Sequence, residues 1–173
     1  MVETQKAAFG GVFTVECRDA EGNLKWSEEF PNLVVNAGLQ YLNTQVFKGI
    51  NYTATWYMGL VTGPGASNTY AGTDTMSSHP GWVENVTYSQ SFRPTLSFNP
   101  ATTADPSVIT TASAALFTMS GTTTIAGAFI TNENTKNGTT GTLFSVGNFT
   151  VGDRPVVSGD TINVSYSFSA DAA

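Results

Sequence analysis

The 173-residue chain has the size of one domain and is long enough to bury most of the surface its unfolded form exposes. Charged residues make up only 12% against an average of about one quarter, while Thr (26), Ser (15) and Gly (17) abound; 40% hydrophobic residues with 12% aromatics exclude a disordered chain. The net charge of −6, with Lys and Arg scattered singly, excludes nucleic acid as the main partner, since no basic run is available for consecutive phosphates.

Met1–Lys6 lacks an apolar stretch and no run of about 18 apolar residues occurs, so the sequence predicts neither a leader peptide nor a membrane span. The expectation is a protein made in a cytoplasm-like compartment. Cys17 is the single cysteine, which excludes an internal disulfide and a thiolate zinc cage. Five Asn-x-Ser/Thr triplets begin at Asn51, Asn85, Asn137, Asn148 and Asn163, and in an Asn- and Thr-rich chain without a leader they are explained by chance.

Residues 9–30 read as a hairpin in which Val12, Val15 and Cys17 mix with polar positions, Asp19–Asn23 turns, and Leu24, Trp26 and Phe30 lead out with partial alternation. Phe13 beside Val12 leaves the inward face of the first strand open. From Asn36 to Phe47 the spacing of Leu39, Leu42 and Val46 predicts a short helix, with Asn36 as its cap and the apolar stripe over a sheet face. Trp56–Val61 is a strand-length apolar run, expected to be central and buried on both faces. Residues 62–81 then form a long Gly-, Pro-, Ser- and Thr-rich excursion, predicted to be a functional loop and the first candidate for an assembly surface.

Strand-length segments follow at 83–98 (broken at Arg93-Pro94), 108–119, 123–131, 142–151 and 159–169, separated by turn clusters such as Asn137-Gly138 and Ser158-Gly159-Asp160. In the last of them Ile162, Val164, Tyr166 and Phe168 alternate with Asn163, Ser165, Ser167 and Ser169. Between Arg93 and Glu133 the only charge is Asp105, which predicts a stretch that is deeply buried or held against another protein. The fold class expected is mainly β: an antiparallel β-sandwich or jelly-roll-like domain with one short helix and an N-terminal hairpin. It fills residues 1–173 as a single β-rich domain, with residues 1–10 as a flexible N-terminal arm.

Residues able to carry chemistry are few. His79 is the only histidine, and the surrounding Ser77-Ser78-His79-Pro80-Gly81-Trp82 reads as a turn it holds rather than as a catalytic base or metal ligand. Glu28 and Glu29 are adjacent on a strand and point to opposite faces, so they do not converge on a glycosidic bond. Asp153 and Asp160 flank turns, the commoner role of such residues than calcium binding. No Gly-rich loop carries a phosphate-binding Lys. The expectation is a non-enzymatic protein without cofactor or metal, whose candidate interaction residues are Tyr70, His79, Trp82 and Tyr88.

Phe13–Asp19, Asn32–Leu39, Thr55–Leu60 and Asp74–Trp82, joined by Gly127–Thr131, Lys136–Leu143 and Ser158–Val164, resemble a group of small virion proteins of tailed bacteriophages. The resemblance implies a capsid decoration or cement protein on the outer face of a shell built from an HK97-like major capsid protein. Such a protein clamps neighbouring subunits by strand addition and apolar burial, is located on the virion surface, and associates as a dimer or trimer on the local symmetry axes. The 62–82 loop and residues 1–10 would be the contact elements. A tail or tail-fibre adaptor remains open, as does a carbohydrate-binding β-module using Tyr70, Trp82 and Tyr88 as a sugar platform.

Overall fold

The computed structural model describes residues 7–49 and 55–172. The N-terminal hairpin joins β1 (Ala7–Arg18) to β2 (Leu24–Pro31). Its turn is built by Asp19, whose Oδ1 accepts the Glu21 and Asn23 amides, with Gly22 at φ 88°. The Asn23 side-chain amide, which donates to Oδ2, and then the Asn23 backbone amide hold the Asp19 carboxyl below its usual range. The facing of β1 is settled by Phe13, Val15 and Cys17, all fully buried, while Val12 is exposed. Of the expected arm, Ala7–Gly10 already belong to β1, paired with Ser169–Ala172, and residues 1–6 lie outside the described residues.

After β3 (Leu33–Val34) comes the helix α1 (Asn36–Lys48). Its start corrects the expected cap. Val35 occupies the cap position without a side-chain hydrogen bond, and Asn36 falls one residue inside. Val35 is buried and its amide donates to the Phe144 carbonyl, so β3's attachment fixes where the helix begins. The expected stripe is also shifted. Val46 is 73% exposed and Gly38 is the fully buried position, because a Cβ there would collide with the Phe144 carbonyl beneath. Gly49, in the left-handed conformation, closes the helix by donating to the Thr44 and Gln45 carbonyls.

The remaining strands are β4 (Trp56–Thr62), β5 (Glu84–Asn85), β6 (Thr95–Leu96), β7 (Ser107–Thr110), β8 (Ala115–Thr118), β9 (Thr123–Thr131), β10 (Leu143–Asn148), β11 (Arg154–Val156) and β12 (Thr161–Ala172). They form two antiparallel sheets. One has the order β2-β1-β12-β7, with β8 continuing beside β12; the other has the order β3-β10-β9-β4-β5, with β11 beside β9 and β6 beside β4. The chain is therefore mainly β, an antiparallel sandwich with one helix and an N-terminal hairpin.

Phe13, Val15, Phe30, Phe117, Ile162 and Val164 of the first sheet face Met58, Leu60, Ile125, Ala128, Ile130 and Val156 of the second across a common core. On the outside of the first sheet β12 carries half-exposed Asn163, Ser165 and Ser167, as the alternation predicts, beside Val12, Thr14 and Glu16 of β1. The second sheet has no solvent face over its centre. Val61, Phe129 and Val146 pack there against Val35, Met76, Trp82 and Leu143, which is why β9 is buried from Ile125 through Thr131.

Buried ion pairs tie the loops to this frame. Arg93, completely buried, donates from Nε and Nη2 to the two oxygens of Glu84 at 2.9 and 2.8 Å. Its Nη1 and Nη2 reach the Glu133 and Gly138 carbonyls and its amide donates to the Asn134 carbonyl, while the Asn137 amide donates to Glu84. Glu28 accepts Arg154 and the Thr150 and Val151 amides in the same manner, and Asp160 accepts Lys25 and the Val157 amide. Glu28 faces inward and Glu29 outward, as expected of neighbours on a strand.

Removing one member of the Glu84–Arg93 pair leaves the other charge buried without its partner, which costs about 3–5 kcal/mol. Glu84→Leu and Arg93→Met should each lower the unfolding free energy measured in urea by that amount, and the double variant should lose much less than the sum. Additive losses in the double-variant cycle would show that the pair is not the anchor.

Candidate interaction sites

Tyr70, His79 and Trp82 are brought together by the segment from 62 to 82, which folds back over the outer face of the second sheet. The platform is laid by Gly59, where a Cβ would collide with the Phe129 ring; its absence lets that ring lie on the β4 backbone. Trp82 packs on Phe129 with centroids 5.1 Å apart, His79 stacks on Trp82 at 4.0 Å, and Tyr70 lies 6.4 Å away. Asp74 Oδ2 accepts both the Trp82 indole N–H at 3.0 Å and the Ala71 amide, while His79 Nδ1 is 3.0 Å from the Trp82 carbonyl oxygen. The histidine holds the turn, as its surroundings predict.

This geometry corrects the sugar-platform expectation for two of its three rings. Trp82 and Tyr88 are each only 3% exposed, so neither offers a face to a ligand. Trp82 closes a second apolar layer. Tyr88 lies apart, in the inter-sheet core edge-on to Phe117, with the Lys136 ammonium 3.7 Å from its ring centroid. Burial, followed by the nearby Glu84, pushes the Tyr88 phenol well above its ordinary value. Tyr70 is half-buried: its hydroxyl donates to Asn148, and burial raises its pKa to about 12. The loop thus serves first as a cover, and its outward residues, among them Ser67, Ser77, Ser78 and Pro80, form its exposed side.

Beside His79 and Trp82 lies a small cavity of about 170 Å³ whose floor is Phe129 and whose polar wall is the Glu84–Arg93 pair. Both charges are already engaged by each other and by backbone groups. Asp153 and Asp160 serve as loop anchors, one accepting the Gly65 amide and the other Lys25. Among the described residues no group of three or more His, Cys, Asp or Glu side chains is placed to hold a metal ion. Among them, too, no helix is long and apolar enough to cross a membrane.

A second, larger cavity of about 420 Å³ opens between the sheets beneath α1. Its aromatic walls belong to a continuous series of ring contacts: Tyr41–Trp56 at 5.1 Å, Trp56–Phe144 at 5.6 Å, Phe144–Phe168 at 5.4 Å and Phe168–Phe9 at 6.2 Å. Sequence reading missed this site. Its residues come from seven elements distant in the chain, and each reads locally as ordinary core.

Trp82→Ala should cost about 3–5 kcal/mol in denaturant unfolding, the range for emptying a buried aromatic site, whereas Phe47→Ser on the 83%-exposed end of α1 should stay within about 0.5 kcal/mol. Equal small losses would contradict the cover role. Glu133 gives a pH dependence. Hydrogen bonds from the Thr135 amide and hydroxyl, then the Thr140 hydroxyl, hold its carboxyl below the ordinary value of 4.5. A folded-state value below the unfolded one contributes stability above the ordinary value and loses it as pH falls through the depressed value. The Gly138 amide, which donates to Thr135, should therefore exchange more slowly in the wild type than in Glu133→Gln above pH 4.5, and this gap should close in stronger acid. A gap independent of pH would refute the assignment.

Compared with protein-family models, curated proteins and solved structures, the chain has no match in any of the three.

Proposed function

We propose that this chain is a structural protein of a tailed-bacteriophage particle that binds the outer face of the capsid and holds neighbouring capsid subunits together. The supporting observation is its surface. Among the described residues eleven large apolar side chains are exposed, including Phe47 at 83%, Val151 at 74%, Val46 at 73%, Val83 at 64% and Phe92 at 56%, on a chain with only 12% charged residues. The interior draws on that small supply, since Lys25, Arg93 and Arg154 are engaged in ion pairs with buried carboxylates. What is left outside suits a surface that spends its working life against another protein.

The open sheet edge adds a means of attachment. Among the described residues strand β2 pairs with β1 alone, which leaves its second edge for a strand from a neighbour. The partner is an HK97-like major capsid protein, the resemblance to small virion proteins being what selects it, and self-association as a dimer or trimer suits the local axes of such a shell. The mechanism is binding without bond making or breaking: a protein with affinity for the assembled lattice and none for free subunits stabilises the lattice by mass action.

Quantitative gel densitometry of purified virions tests this reading. A copy number comparable to that of the major capsid protein is expected, with occupancy lowered by Val46→Asp/Phe47→Asp. A handful of copies per particle would place the chain on the tail, and its absence from virions would end the proposal.

A further inference from the structure

We propose that the 420 Å³ cavity between the sheets is a binding site for a small, neutral, aromatic hydrophobic molecule. Six of its lining side chains are aromatic (Tyr41, Trp56, Phe98, Phe144, Tyr166 and Phe168), and no charged residue lines it. That lining favours a ring system, whose edges and faces meet the wall rings in tilted and edge-on contacts. It also disfavours an anionic amphiphile, because the cavity offers no cation to receive a carboxylate.

The walls are held apart by the backbone. Tyr166 and Phe168 stand on β12 within its unbroken ladder to β1, and Ile130 on β9 of the other sheet pairs with Ser145, next to the register shift at which Phe144 leaves the β9–β10 ladder. Overhead, α1 rests on the Phe144 carbonyl through Gly38, so the roof is fixed by a main-chain contact. Size narrows the class further: an apolar cavity of about 150 Å³ admits one benzene, and this one is nearly three times larger. It therefore accommodates a fused two-ring system with room for a substituent directed to the mouth, where Ser97 is exposed. The inference does not depend on the capsid reading and survives its failure.

Phenylnaphthylamine, a neutral probe that fluoresces in apolar surroundings, should bind the full chain saturably with one site and be displaced by naphthalene. Ile109→Trp, which fills the cavity from the half-buried β7, should weaken binding about tenfold or more. Phe92→Ala, outside the cavity, should leave it unchanged. Because Ile109→Trp could also perturb folding, methyl spectra of the wild type with naphthalene give an independent reading: shifts should concentrate on Leu42, Leu96, Ile109 and Ile130. The proposal is overturned by absence of saturable binding, by binding indifferent to Ile109→Trp in a folded variant, by methyl shifts elsewhere, or by decanoate or decanol displacing the probe better than naphthalene.

Discussion

The rest of the structure depends on a buried charge being satisfied from several sides at once. Arg93 sits without solvent contact against Glu84 and beneath two carbonyls of the 133–138 loop, and Glu84 in turn receives the Asn137 amide. A pair taken so far from water recovers its desolvation cost only if its remaining donors and acceptors are also occupied, and here backbone groups of a distant loop do that. The loop is consequently fixed, and with it the return path of the chain from β9 to β10. Arg93 also lies 5.2 Å from the centroid of Phe129, the ring on which Trp82 rests, so the polar anchor and the outer apolar layer share a wall.

The same device recurs at Glu28 and Asp160, and with uncharged donors at Asp74, whose carboxylate holds the Trp82 indole and the Ala71 amide. Each carboxylate receives backbone N–H groups that a loop would otherwise leave unpaired, a requirement that grows when a loop packs over a sheet rather than running through water. This explains how a chain with so few charges keeps such long connections in one conformation. It also explains the surface: charges directed inward are not available outside.

Elements with a strong periodic pattern were legible in the sequence. Strand β12 follows its alternation through buried Ile162, Val164 and Tyr166 to half-buried Phe168, the Asp19–Asn23 turn lies where the turn residues cluster, and Met58–Val61 is buried as the apolar run from Trp56 predicts. The failures have local causes. Strands of two or three residues such as β5, β6 and β11 are too short to show a period. The helix cap moved by one residue because β3, and not the Asn36 side chain, decides where the helix begins. Residues 62–81 read as an excursion because Gly, Pro and Ser carry no sign of what they cover. The sign lay elsewhere, in Ile125-Ala126-Gly127-Ala128-Phe129-Ile130, a strand apolar on both faces that therefore required a second layer above it. Arg93 looked like a strand breaker, and nothing adjacent to it identified Glu133, Asn134 and Gly138 as its partners.

One feature of the first sheet bears on how the molecule is made. Strand β1 pairs along its whole length with β12, from Ala7 opposite Ala172 to Arg18 opposite Thr161, so the longest ladder joins segments separated by nearly the entire sequence. During synthesis the β1–β2 hairpin emerges early and must wait, with Phe13, Val15 and Cys17 uncovered, until the final strand is released. Closure of that ladder is a non-local event of the kind that slows folding. The waiting hairpin, a hydrophobic strand with one edge unpaired, is the species in which nascent copies are most open to capture by one another.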